Sequence, residues 1–79
     1  MAYFTLIIRR RPTANDTQPH MAQWGAEFGD YDRECVEFEQ ADFRASNGRE
    51  FLTKIVRTKT ARQSDIDAAI AAENAKLIA

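Results

Sequence analysis

A single cysteine, Cys35, is the tightest constraint on what this chain of 79 residues can fold into. No disulfide can close within the chain, and no cysteine-based zinc site can form. A domain of this size buries only about 60% of the surface its unfolded chain exposes. With no covalent or metal staple, the core has to come from helices packed on a sheet. The composition allows this, since 44% of the residues are apolar and only three Gly and two Pro interrupt regular structure. One compact domain over 1–79 is expected. Small secreted domains usually carry several cysteines, and the apolar start Met1 to Ile8 lacks the basic stretch that opens a signal peptide. No apolar run approaches the roughly 20 residues of a bilayer span. The expectation is a cytoplasmic protein with no membrane partner.

The segment Tyr3 to Arg10 reads as a strand, with Phe4, Leu6 and Ile8 on one face and Tyr3, Thr5, Ile7 and Arg9 on the other. Pro12 to His20 has two prolines and no periodicity, so it reads as a loop. Gln23 to Gly29 reads as a second strand. Asp30 then stands as the N-cap of a helix over Tyr31 to Ala45, closed by Ser46-Asn47-Gly48. On that helix Tyr31, Cys35, Phe38, Ala41 and Ala45 form the apolar stripe expected to face the core. Phe51 to Lys59, rich in Ile, Val and Thr, reads as a third strand. Ser64 is the expected cap of a last helix, Asp65 to Leu77, whose stripe is Ile66, Ile70 and Leu77. The order β-β-α-β-α predicts an α+β fold, a three-stranded, mainly antiparallel sheet with both helices packed on one face.

Residues that could carry catalysis are scarce. His20, the only histidine, sits in the loop beside Pro19, and Cys35 is expected to be a buried structural thiol. Asp65 and Asp67 lack the glycine and distal glutamate of a calcium loop. No glycine-rich phosphate loop, nucleophile elbow or His-x-x-x-His pair occurs. The chain therefore reads as non-enzymatic, with no metal and no cofactor.

The charges are more informative. From Glu27 to Asp42 there are seven acids (Glu27, Asp30, Asp32, Glu34, Glu37, Glu39, Asp42) against Arg33, a net -6; the remaining ten bases and five acids give +5. The near-neutral total of -1 hides this separation. On the expected helix Glu34 and Glu37 share one flank, and Asp32 and Glu39 the other. Asp42 falls near the apolar stripe, and Val36 and Phe43 make a second apolar patch away from it. Asp30, Asp32, Glu34, Glu37, Glu39 and Asp42, with Val36 and Phe43, are thus the candidate partner-binding surface. Acids steer a basic partner into place and apolar groups hold it. A row of carboxylates one helical turn apart also presents a field like that of a phosphate backbone. The same acids are explained as a solvated helix face favoured by the helix dipole, with Arg33 and Arg44, and Lys54 and Arg57 from the neighbouring strand, neutralising much of the field.

Two alternatives stand beside a protein-binding inhibitor. Arg9, Arg10 and Arg11, with Lys54, Arg57, Lys59 and Arg62, would touch nucleic-acid phosphates if the first and third strands pair into one basic edge. An assembly protein would instead bury Val36 and Phe43 in a weak homodimer. A small, cysteine-poor domain with an acidic segment over 27–42 resembles small phage-encoded proteins, anti-CRISPR proteins among them. The stretches Glu27-Phe28-Gly29-Asp30-Tyr31-Asp32-Arg33 and Thr60-Ala61-Arg62-Gln63-Ser64-Asp65-Ile66-Asp67 are similar to short phage and prophage proteins. That resemblance implies inhibition of a CRISPR effector complex, type I in the first instance, in the cytoplasm of a bacterial host. The acids would cover the surface with which the effector holds nucleic acid.

Overall fold

The computed structural model describes residues 1–12 and 22–77. The expected loop lies, from Thr13 onward, outside the described residues, as does His20. Three strands and two helices follow in the predicted order: β1 (Tyr3–Arg10), β2 (Gly25–Asp30), α1 (Arg33–Asn47), β3 (Phe51–Thr58) and α2 (Gln63–Ala75). The strands form one sheet in the order β2-β1-β3, with β1 antiparallel to both neighbours. β2 and β3 therefore run parallel on either side of β1. The chain links them through α1, the long crossover that parallel strands require.

The helices do not share a face as expected; they cover opposite faces. In the β1–β3 register Ile8 opposes Thr53 and Arg10 opposes Phe51, so Phe4, Leu6, Ile8, Phe51 and Thr53 all point one way. α1 sits there: Gln40 Nε2 donates to Thr53 Oγ1 at 3.1 Å, and the Phe43 and Phe51 rings meet edge-on at 5.6 Å. The neighbouring residue Lys54 points the other way and meets Glu73 of α2 at 2.8 Å. Leu6 and Ile7, consecutive on the central strand, are both fully buried. Adjacent strand residues point to opposite faces, so only cover on both sides produces that. The physical reason was present in the run Leu6-Ile7-Ile8, which is apolar on both faces.

β2 carries a second departure. Leu6 opposes Phe28 but Ile7 opposes Ala26, so the register slips by one residue between Leu6 and Ile7. The extra residue is a bulge. Phe28 then joins the α1 side and Ala26 the α2 side, although simple alternation puts both on one face. Trp24 lies just before the strand. Its N–H donates to Asn74 Oδ1 at 2.6 Å and its carbonyl accepts from Asn74 Nδ2 at 3.3 Å, which ties the sheet edge to the end of α2.

The caps also differ from expectation. Asp32, not Asp30, caps α1, accepting from the Glu34 N–H at 2.9 Å. Asp30 ends β2 and accepts from the Asp32 N–H at 2.8 Å. Strand and helix are thus joined by only Tyr31 and Asp32 in a locked turn. α2 begins at Gln63, one residue before Ser64, with Arg62 in the cap position and no side-chain capping bond. Thr60 does the local fastening instead: its hydroxyl accepts from the Arg62 N–H and donates to the Asp65 carboxylate. Ile66 of the predicted stripe is buried, and Ile70 and Leu77 are half-buried.

Candidate functional site

The short turn at Asp30–Asp32 fixes where α1 starts and therefore which side of it meets the sheet. Residues turn by about 100° each on an α-helix. Val36 is fully buried, and Gln40, Phe43 and Asn47, its neighbours at helical spacing, are half-buried. That row is the inner face. The stripe expected to be inside is outside. Phe38 is 72% exposed, Tyr31 is 54% exposed, and Cys35, Ala41 and Ala45 are exposed as well. Of the eight candidate partner-binding residues, Val36 is fully buried and Phe43 is half-buried against Phe51, so neither stands on the outer face with the acids.

The acids sort themselves by the same rotation. Glu34 and Asp42 lie one turn before and one turn after Phe38 on the outer face, where i,i+4 neighbours are about 6 Å apart. Glu37 flanks them and accepts from Arg33 Nε at 3.0 Å. Neither Glu34 nor Asp42 has a side-chain partner among the described residues. Asp30 and Asp32 are engaged in the turn and cap, and Glu39 is exposed on the sheetward flank. The structure therefore brings Glu34, Glu37 and Asp42 together around the Phe38 ring, which the expected apolar stripe places in the core. Glu34, Glu37, Phe38 and Ala41 line a shallow cleft of about 250 Å³. Tyr31 precedes the helix, in the turn, and its ring meets that of Tyr3 edge-on at 4.9 Å.

Cys35 is exposed rather than buried, because it belongs to the outer face. Partial desolvation, then the charges of Asp32 and Asp30, a hydrogen bond to Asp32 and the charge of Glu34 hold its thiol above the ordinary value of 9.0. A thiol kept protonated in this way is a poor nucleophile. Among the described residues no three His, Cys, Asp or Glu side chains converge as a metal site would need. None of the helices among those residues is long and apolar enough to cross a membrane.

The bases do not gather into the single edge considered above. β1 and β3 do pair, but Arg9 opposes Leu52 and Arg10 opposes Phe51. Arg9, Arg10 and Arg11 lie at the start of β3, where Arg11 Nε donates to the Gly48 carbonyl at 3.2 Å. Arg57, Lys59 and Arg62 lie at its other end, about 20 Å away for six residues of strand. Lys54, between them, is bonded to Glu73. The charge separation along the chain becomes an acidic, aromatic outer helix face and two distant basic ends. Comparison with family models, curated proteins and solved structures found no match for this chain.

Proposed function

We propose that this chain is a binding protein rather than an enzyme, and that it docks the outer face of α1 onto a basic, nucleic-acid-holding surface of a protein partner and thereby blocks it. The observation that carries this reading is Phe38, 72% exposed and bracketed by Glu34, Glu37 and Asp42 on the side of the helix that faces away from the sheet. A folded chain with so few buried apolar residues (Leu6, Ile7, Val36, Val56 and Ile66 among those described) nonetheless leaves a phenylalanine in water. Burying its ring in a partner would contribute about 2–3 kcal/mol. The surrounding carboxylates select a basic surface and speed the encounter. Nucleic acid itself is disfavoured as the ligand, because the phosphates would meet the acids on this face and two separated basic ends elsewhere.

The likeness in format to small phage-encoded anti-CRISPR proteins makes a CRISPR effector complex in a bacterial cytoplasm the first partner to try. The test is binding of wild type and two variants, Glu34→Lys/Glu37→Lys/Asp42→Lys and Phe38→Ala, to purified effector complexes. Target-DNA binding by the effector is read in parallel. Both variants should stay folded by circular dichroism, lose affinity by about tenfold or more and release the block on DNA binding. Folded variants that bind and inhibit as well as wild type would remove this face from the function.

A further inference from the structure

We infer that the group this face recognises is an arginine side chain of the partner, stacked on Phe38 in the cleft lined by Glu34, Glu37, Phe38 and Ala41, with the Asp42 carboxylate one turn further along the same helix face. This rests on the reading of the outer face of α1 as the docking surface and names its ligand chemistry. Three observations carry it. The first is size. The cleft of about 250 Å³ beside Phe38 is smaller than the roughly 300–1,000 Å³ of small-molecule pockets. Ala41 forms part of its lining and keeps it open, so it suits one long side chain. The second is chemistry. The lining offers an aromatic face and two carboxylates, of which Glu37 is already bonded to Arg33 and Glu34 is not. A planar guanidinium stacks on a ring and bonds carboxylates at its edge at the same time, whereas an ammonium does only the second well. The third is a precedent inside the fold. The Arg33 guanidinium lies 5.8 Å from the centre of the Phe4 ring while its Nε donates to Glu37 at 3.0 Å. The inner edge of α1 thus already holds an arginine between a phenylalanine and a glutamate, and the outer face presents the same two groups without the arginine.

The test uses the full chain, labelled with nitrogen-15, titrated with an eight-residue oligoarginine and separately with an oligolysine of equal length. Amide shifts should cluster at Glu34, Cys35, Phe38, Ala41 and Asp42, with oligoarginine bound about three- to fivefold tighter. Phe38→Leu keeps the acids and an apolar group, and should bring arginine down to the lysine level. Glu34→Gln/Asp42→Asn should weaken both peptides. Equal binding of the two peptides at this face, or an unchanged arginine preference in Phe38→Leu, overturns the arginine assignment and leaves the docking reading standing. Shifts that map elsewhere, or no binding by either peptide, overturn it as well. So does self-association through this face that Arg44→Glu/Arg49→Glu abolishes, because the occupant is then a second copy of the chain. Loss of the docking reading itself would show separately, as effector binding by the charge-reversed variant.

Discussion

The rotation of α1 can be tested with two truncations, Val36→Ala and Phe38→Ala. They lie two residues apart on the helix, and the structure gives them opposite consequences. Val36 is fully buried against the sheet. Removing two carbons from it loses about 1.6 kcal/mol of transfer free energy, and the space left beneath the helix adds a cavity term. Together these come to about 2–3 kcal/mol. A domain of this length is stable by about 4–12 kcal/mol, so the variant still folds. At about 4–8 °C per kcal/mol its melting temperature should fall by about 8–24 °C. Phe38 is 72% exposed, so its truncation gives back little buried area. Alanine is also the better helix former by about 0.5 kcal/mol. Phe38→Ala should leave stability within about 0.5 kcal/mol of wild type or raise it slightly. Urea unfolding followed by circular dichroism reads both, with unchanged slopes as the check that the unfolded state is comparable. The reverse order, a costly Phe38→Ala and a harmless Val36→Ala, would refute the rotation and everything built on the outer face.

Four further outcomes follow from the geometry. Lys54 donates to both oxygens of Glu73, and this hydrogen bond, opposed by desolvation and aided by Lys76 and the two lysine charges, lowers the Glu73 pKa below its ordinary 4.5. A lowered carboxylate pKa adds stability above the unfolded value, and that stability is lost as pH falls through the folded value. Wild type should therefore lose about 1 kcal/mol or less more than Glu73→Gln as pH is taken from about 5 to below 4, read as melting temperature against pH. The Asp32 cap predicts about 1 kcal/mol lost in Asp32→Ala, against a few tenths in Asp32→Asn, by the same unfolding assay. Cys35, raised by partial desolvation and then by Asp32, Asp30 and Glu34, should react with iodoacetamide near pH 8 more slowly than a free thiol, and faster once Asp32→Asn removes one of those charges. A Cβ at Gly29 would run into the Tyr3 ring, so Gly29→Ala should cost about 1–3 kcal/mol and disturb the Tyr3–Tyr31 contact, visible in near-ultraviolet dichroism.

The elements themselves were legible because each is written in a period or a cap of its own. β1 and β3 announce themselves by β-branched runs, and α2 by alanines with Ile66, Ile70 and Leu77 on one side. The order β-β-α-β-α and the antiparallel sheet followed from these. Which face each helix covers was written only in Leu6-Ile7-Ile8, a run that needs cover on both sides. A period-2 reading divides that run between faces without asking what covers the second one. The bulge in β2 leaves no sign in GAEFGD, since Ala26 and Phe28 alternate as any strand does and only their partners on β1 separate them.

The candidate site misread α1 for a reason that concerns the residues of its inner row. Val36, Gln40, Phe43 and Asn47 include two amides, so the row scores as less apolar than Tyr31, Cys35, Phe38, Ala41 and Ala45, and hydropathy turns the helix the wrong way. Gln40 is tolerated inside because its side chain finds a partner there, donating to Thr53 Oγ1 at 3.1 Å; Asn47 sits at the end of the helix, where its backbone carbonyl accepts from the Glu50 N–H at 3.0 Å as the chain turns into β3. A half-buried amide that is hydrogen-bonded costs little, while an exposed ring surrounded by carboxylates forgoes burial that the fold could have used. Turning α1 by half a turn would bury Phe38 but drag Glu34 and Asp42, its neighbours one turn away, toward the sheet, where unpaired carboxylates are far more costly than an exposed phenylalanine. The acids around Phe38 therefore keep it outside. The same carboxylates that make the face attractive to a basic partner are what prevent the helix from hiding its most apolar side chain.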